Sequence, residues 1–546
     1  MSALLAHLPV LPVVVPFAAG TLMLLLKEQR RRLRLTLALG SAIVQVGVAA
    51  TLLALVGGAV PEAGVPEPGS AGIGVYRVGG WAAPFGIVLV VDRLSALMLA
   101  LAAAVGLTSI VYAAGRWDRP GQPLHSLLQF LWVGVNGAFL TGDVFNLFVF
   151  FEILLAASYG LVLRGLGAQR VGTGLNYVAV NLASSVLFLM GVALIYAVTG
   201  TLNMADLTRA VPALSPADRP IFDVGAALLG VAFLVKAGSW PLNFWLPATY
   251  GITVPPVAAS FAIMTKVGVY ALLRVGTLMG EDEAAAAILG RILFWIGLAT
   301  LVAGIVGTLS ARRLARLVAY SVVVSSGLLL TAFGLGLAEL IAPALFYLAT
   351  SVLTTAAFFM VAGMTERTAL SYAAADAHPA ESEPFYQAYG VVVPDPYDIS
   401  EEVGTPIPLG MAFLGLVFVC CVLLVAGLPP LPGFIAKVAL LSTAIGSGDA
   451  PRGAVWLFTV AVIVSGFAAV FAASRLGMRV FWSSGARHVP RPEVLQASAV
   501  ASLVIATFAI AVWAPEVMRF MEATTASLLE PAAYVRGVLS DGGGAP

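Results

Sequence analysis

Four ionisable residues stand where a chain this apolar has little room for charge. Glu152 lies in the run FVFFEILL, Lys236 in VAFLVKAG, Lys266 in MTKVG and Lys437 in FIAKV. A charged side chain at the centre of a membrane-spanning helix costs at least about 2.5–3.5 kcal/mol on insertion scales. It persists where it faces protein, water or a partner, which makes each of the four a functional candidate by default. A lysine held between burial, which favours its neutral form, and a nearby carboxylate, which favours its charged form, can exchange a proton cheaply. The chemistry these types suggest is proton relay, with Glu152, Lys236, Lys266 and Lys437 as stations joined by Ser, Thr, Asn, Tyr and water. The plainer reading of Glu152 is a buried carboxylate hydrogen-bonded to a hydroxyl.

Other candidates are weaker. Asp143, beside Gly142, reads as a capping or solvated residue, and the adjacent Asp92 and Arg93 read as an interfacial anchor. His7, His125, His378 and His488 all fall away from the centre of any apolar run. Cys420 and Cys421 are adjacent and read as small buried hydrophobes rather than ligands or a disulfide. No P-loop, dinucleotide-binding glycine pattern or zinc-ligand spacing occurs, so neither cofactor nor metal is expected. With a net charge of +1 and no basic arm, nucleic acid is not an expected partner.

The elements that must position these residues follow from composition. About 60% of the 546 residues are hydrophobic and 10% are charged, and mean hydropathy is +0.98. Soluble domains carry about 25% charged residues, so a soluble enzyme, a disordered chain and a disulfide scaffold are all excluded. The expectation is an all-α polytopic membrane protein embedded in a lipid bilayer, with about fourteen transmembrane helices. Their approximate spans are 4–26, 35–57, 86–113, 124–142, 144–163, 173–198, 223–245, 253–277, 288–310, 315–338, 340–363, 407–447 with an interruption, 455–479 and 494–516. The first span runs into KEQRRR rather than a small-residue cleavage site, and reads as a retained helix. The Gly/Pro-rich break at 58–84 could hold a small hairpin outside the membrane. The break at 364–406 is the longest and reads either as an ordered or partner-contacting loop or as a solvated linker.

Two spans are interrupted beside a lysine. The seventh holds Lys236 and then Pro241. The twelfth holds Pro429, Pro430 and Pro432 and then Lys437. Proline removes a backbone hydrogen bond inside a helix, and in lipid the freed carbonyls must be met by protein or water. Interrupted spans at corresponding places in two halves point to ion sites. The expected organisation is two inverted five-helix repeats, with helices 7 and 12 broken. Residues 1–123 would hold helices 1–3, 124–280 the first repeat, 281–480 the second with the 364–406 loop, and 481–546 helix 14 and a tail. Alternate loops carry about 17 basic residues on one side and about 8 on the other. The richer side is expected to be cytoplasmic, which puts both termini outside a multi-pass cell (inner) membrane protein.

The segments 141–159 (TGDVFNLFVFFEILLAASY), 235–247 (VKAGSWPLNFWLP), 255–274 (PPVAASFAIMTKVGVYALLR), 317–321 (LVAYS) and 427–437 (GLPPLPGFIAK) carry a family likeness. Over about 85–480 the chain resembles the antiporter-like membrane subunits shared by respiratory complex I, membrane-bound hydrogenases and the multisubunit Mrp cation/proton antiporters. FNLFVFFE and the lysine after LPPLPGF are most similar to the D-type subunits of the Mrp group. The resemblance implies that Glu152 and Lys236 form an ion pair, that Lys266 is a central relay and that Lys437 lies toward the exit. It also implies a hetero-oligomer with other Mrp subunits, which moves protons and, at the level of the complex, sodium. The family often has basic or imidazole groups where this chain has Ala315, Ser325 and Ala349. A hydroxyl route through Tyr320, Ser321, Ser325, Thr350 and Ser351, with water, would then have to bridge Lys266 and Lys437. Two rival expectations remain: a proton-pumping component of a redox complex, such as an NADH:quinone oxidoreductase or a membrane-bound hydrogenase, and a scaffolding component with a vestigial channel.

Overall fold

The computed structural model describes the chain apart from residues 1–5, 28, 59–72, 118–122, 165–167, 280–282, 377–408, 449, 482–492 and 540–546, and apart from the side chains of 116, 168–169, 283–286 and 366–376. The helices in chain order are α1 (Leu11–Leu25), α2 (Arg31–Val56), α3 (Arg93–Arg116), α4 (Leu124–Leu140), α5 (Val144–Val162), α6 (Ala168–Thr199), α7 (Met204–Ala210), α8 (Arg219–Ala237), α9 (Trp245–Tyr250) and α10 (Pro255–Met279). Then follow α11 (Glu283–Ser310), α12 (Leu314–Gly334), α13 (Ile341–Asp376), α14 (Leu409–Ala426), α15 (Pro432–Gly446), α16 (Arg452–Phe481), α17 (Val494–Val512), α18 (Ala514–Leu528) and α19 (Pro531–Leu539). Among the described residues 13 helices are long and apolar enough to cross a membrane. With α4, which is shorter but equally apolar, they account for the fourteen expected spans. The seventh span is α8 plus α9, and the twelfth is α14 plus α15. Most of the long loop expected at 364–406 lies outside the described residues, although α13 continues through its first part to Asp376.

The centre of the bundle is α10, α12 and α13, which are buried over most of their length. Peripheral helices such as α1, α6 and α17 leave apolar faces exposed, as a lipid solvent permits. Inside the bundle, freed backbone groups find side-chain partners. Pro16 interrupts the ladder of α1 and leaves the Pro12 carbonyl without its usual donor. Asn136 Nδ2 of α4 donates to that oxygen at 2.8 Å, and Gln45 Nε2 of α2 donates at 3.2 Å. Helix α5 packs closely on α4, where a Cβ at Gly137 would lie 2.1 Å from the Phe150 ring.

One end of the bundle carries a small cap. Strands β1 (Gly74–Arg77) and β2 (Val88–Val91) form an antiparallel pair, with Gly74 opposite Val91 and Arg77 opposite Val88. The third span therefore begins at residue 93 rather than near 86. The β-branched run VLVV pairs as a strand, and Asp92 then starts the helix through a capping box with Ser95. Helix α19 rests against α7 and β1, so the chain beyond α17 folds back over this end as two amphipathic helices. Asp143 caps α5 by accepting from the Asn146 N–H at 2.8 Å, the capping role its position suggested.

Asp92 is more than an anchor. Its carboxylate meets Arg274 Nη2 of α10 at 2.5 Å, with both side chains more than nine-tenths buried. The guanidinium also lies over the rings of Tyr270 and Tyr534, so it ties the central helix to the cap. Breaking a buried ion pair from one side costs about 3–5 kcal/mol, whereas replacing both partners by apolar groups is far milder. Asp92→Asn keeps a good helix cap but strands Arg274, and thermal unfolding in detergent should show a clear loss of stability. The double variant Asp92→Asn/Arg274→Met should recover most of that loss. Unfolding of Asp92→Asn at the wild-type temperature would contradict this role for the pair.

Candidate functional site

Both interrupted spans end their first half in the same local structure. Helix α8 stops at Gly238, whose φ of 71° needs glycine, and the Ser239 N–H reaches back to the Leu234 carbonyl at 3.0 Å. Helix α14 stops at Gly427, φ 75°, and the Leu428 N–H reaches back to the Leu423 carbonyl at 3.0 Å. Pro241 lies in the first break, and Pro429 and Pro430 lie in the second. Pro432 is not in a break but is the first residue of α15, where its missing N–H is harmless. Two side chains add to the first break. Ser239 Oγ donates to Leu234 O at 2.9 Å, and the Trp240 N–H donates to Thr300 Oγ1 of α11 at 2.8 Å.

The first cluster joins α5, α6 and α8. The half-buried Glu152 carboxylate accepts a hydrogen bond from Ser185 Oγ. Ser185 Oγ also lies 3.0 Å from the Asn181 carbonyl. Lys236 Nζ donates to that carbonyl at 3.5 Å and to Asn181 Oδ1 at 3.4 Å, and it sits 5.9 Å from the centre of the Phe151 ring. Glu152 and Lys236 are thus brought into one cluster, linked by hydrogen bonds through Ser185 and Asn181. The Ser185 hydroxyl has one proton and two acceptors. With Glu152 ionised it donates to the carboxylate. With Glu152 protonated it can accept from the acid and donate to Asn181 instead. The sequence reading passes over Asn181 and Ser185, although two polar residues four apart in an apolar span share one helix face and give a readable signal.

Lys266 is the most buried of the three lysines, at 1% exposed. Its Nζ donates to Ser326 Oγ of α12 at 3.3 Å. Two residues on, Gly268 lets α10 approach α8 at Lys236, since a Cβ there would lie 2.5 Å from the Ala237 nitrogen and 2.8 Å from the Phe233 carbonyl. Ser325, next to Ser326 in the chain, lines a narrow cavity of about 20 Å³ between α11, α12, α13, α14, α15 and α16. Ser321, Ser325, Thr350 and Ser351 line it, so four of the five hydroxyls singled out from the sequence are brought together. Tyr320 is not among them and faces a separate lateral groove with Arg316 and Trp240. On the far wall, Lys437 Nζ donates to the Val425 and Ala426 carbonyls, at 3.2 and 2.9 Å, so it caps the C-terminal end of half-helix α14. Among the described residues no cluster of three His, Cys, Asp or Glu side chains could hold a metal ion. Cys421 is buried and Cys420 half-buried, both as free thiols.

A many-span helical bundle with charged side chains strung through its interior defines a polytopic membrane protein of the ion-translocating kind. The family described as "NADH:quinone oxidoreductase/Mrp antiporter, TM" matches residues 141–388. A probable K(+)/H(+) antiporter protein of Rhizobium meliloti, the D-type component of its complex, is 46% identical over 99% of both chains. The D-type component of the Na(+)/H(+) antiporter of Alkalihalophilus pseudofirmus is 30% identical over 98% of this chain and all of its own. Among solved structures, a chain of the Mrp complex from Dietzia sp. DQ12-45-1b shares the fold at a TM-score of 0.78 and 24% identity, covering 98% of this chain and 99% of that one. The chain belongs to the family of D-type subunits of multisubunit Mrp-type cation/proton antiporters.

The Ser185 bridge gives a direct test of the first cluster. A hydrogen bond to a charged group is worth about 1.5–3 kcal/mol, so Ser185→Ala should slow proton movement by roughly tenfold to a hundredfold. Ser185→Thr should restore most of it. The measurement is cation-driven proton movement in everted vesicles that contain the whole complex, and an unaltered rate in Ser185→Ala would remove Ser185 from the path.

Proposed function

We propose that this protein carries protons through its interior within a monovalent cation/proton antiporter, with other subunits of the complex as its partners. The observation that carries the proposal is the series of buried polar groups that begins with Glu152 bonded to Ser185 and runs to Lys437 on the carbonyls of α14. Glu152 takes up a proton and passes charge through Ser185 and Asn181 to Lys236. Lys266, on α10 where that helix packs against α8 at Gly268, is the next station. Lys266 hands on through Ser326 to the hydroxyl-lined cavity, and Lys437 receives at its far wall. The protein acts as a transporter component, not as an enzyme, and its named relatives support sodium or potassium as the exchanged cation. The two matching helix breaks support reading residues 124–280 and 281–480 as inverted halves. The charge bias of the loops supports a cell-membrane orientation with both termini outside.

Two variants test the reading. Glu152→Ala or Lys236→Ala should abolish cation-driven proton movement in everted vesicles and remove cation resistance from cells, while the other subunits still co-purify. Normal antiport in either would refute the relay. Lys437→Ala should also stop proton movement, and full activity in that variant would confine the working path to the first half.

A further inference from the structure

Lys266 has a second way out, and the fold closes it. On α10, Lys266, Tyr270 and Arg274 stand four residues apart, so they share one face of the helix. From Lys266 to Arg274 that face climbs about 12 Å toward the end that carries the cap. All three side chains are buried. Each group above Lys266 is committed in a way that stops a proton. The Tyr270 hydroxyl donates its single proton to the Phe139 carbonyl at 2.7 Å, and a helix carbonyl does not pass a proton on. Arg274 has only donors and keeps its charge at any pH the protein meets, so it cannot take a proton on one side and release one on the other. Asp92 has both oxygens engaged, Oδ2 with Arg274 Nη2 at 2.5 Å and Oδ1 with the Ser95 N–H at 2.8 Å. The Tyr534 ring covers the guanidinium from the cap, 5.5 Å away, and its hydroxyl lies against Gly142, next to Asp143. Sideways, by contrast, Lys266 Nζ meets the Ser326 hydroxyl at 3.3 Å, a group able both to accept and to donate.

We propose that Arg274 is a proton seal: it closes the face of α10 between Lys266 and the cap, so that a proton on Lys266 leaves only sideways, through Ser326. With Asp92 the pair is neutral overall, so the guanidinium insulates because it exchanges no proton, not because it repels one. The inference rests on the proton path proposed above and names the residue that keeps that path from short-circuiting. On the orientation given there the cap faces outward. A proton that slipped past Arg274 would cross the membrane without reaching Lys437, and antiport would run uncoupled. The ion pair thus has a second task besides stability, and proton leak separates the two.

Passive proton leak through the purified intact complex in liposomes tests it. The leak is read with a pH-sensitive dye after an acid jump in choline medium free of sodium and potassium, with thiocyanate as permeant counter-ion. Arg274→His keeps a cation for Asp92 but exchanges protons near neutral pH, and should raise the leak by about tenfold or more over wild type. Arg274→Lys is a second proton-exchanging variant, with a rise in the same direction. Lys266→Ala added to either should return the leak to the wild-type level. Two controls separate relay from loosened packing. Asp92→Asn weakens the pair but leaves the guanidinium in line, and Asp92→Asn/Arg274→Met puts an apolar group there; both should stay as tight as wild type. A wild-type leak in both Arg274→His and Arg274→Lys overturns the seal. A leak in either control as large as theirs also overturns it, since packing alone would then be the barrier. A leak that survives Lys266→Ala overturns the connection to the central lysine. The proton-path reading fails separately, through normal antiport in Glu152→Ala, so the two failures are distinguishable.

Discussion

Backbone polar groups without water set the terms for this molecule. In an apolar interior every carbonyl released by a broken helix must find a donor, at a cost of several kcal/mol if it does not. The two interrupted spans release such carbonyls near the middle of the bundle, and the polar architecture grows from their needs. Ser239 and Thr300 answer the first break. Lys437 answers the second by reaching back to Val425 and Ala426. The same requirement explains a break with no ionic role, where Asn136 and Gln45 serve the Pro12 carbonyl freed by Pro16. A residue recruited to satisfy backbone is then available for other chemistry, and the lysines are the case in point.

Glycine supplies the second constraint, since polar groups from different helices must come close enough to bond. Gly268 sets α10 against α8 beside Lys236, and Gly137 sets α5 against α4. Around Lys437 the packing is tighter still. A Cβ at Gly433 would lie 2.2 Å from the Leu424 carbonyl, and one at Gly427 would lie 2.5 Å from Lys437 Cδ. Small residues at these positions let the lysine chain fold over the helix end. This is the membrane pattern of close backbone approach, used here to place charge rather than to dimerise helices.

Much of this is legible in the sequence. Apolar runs of spanning length locate the fourteen helices, and a glycine–proline pair beside a lysine locates both breaks. The differences have physical causes. The third span reads too long because an apolar VLVV run suits strand and helix equally, and pairing with β1 decides it. Asp92 reads as an anchor because its partner, Arg274, is distant in sequence, and hydropathy does not reveal which helices face each other. Tyr320 groups with Ser321 in the sequence because they are adjacent. Successive helical residues point about 100° apart, so with Ser321 and Ser325 turned to the cavity, Tyr320 faces the other side. The family likeness implies a pair of Glu152 and Lys236, and the structure links them by hydrogen bonds through Ser185 and Asn181, a detail of side-chain reach that spacing cannot encode.

The lysine that closes the end of α14 has a mechanical meaning. A neutral amine keeps two N–H groups, so losing its proton would not free the Val425 and Ala426 carbonyls. It would turn two charge-assisted bonds into ordinary ones of roughly half the strength. The joint between the two half-helices is therefore stiff when the amine is charged and slack when it is not. The helix that packs most heavily on both halves of that joint is α13, so a change in the joint's stiffness would reach the centre of the bundle as tension rather than as charge.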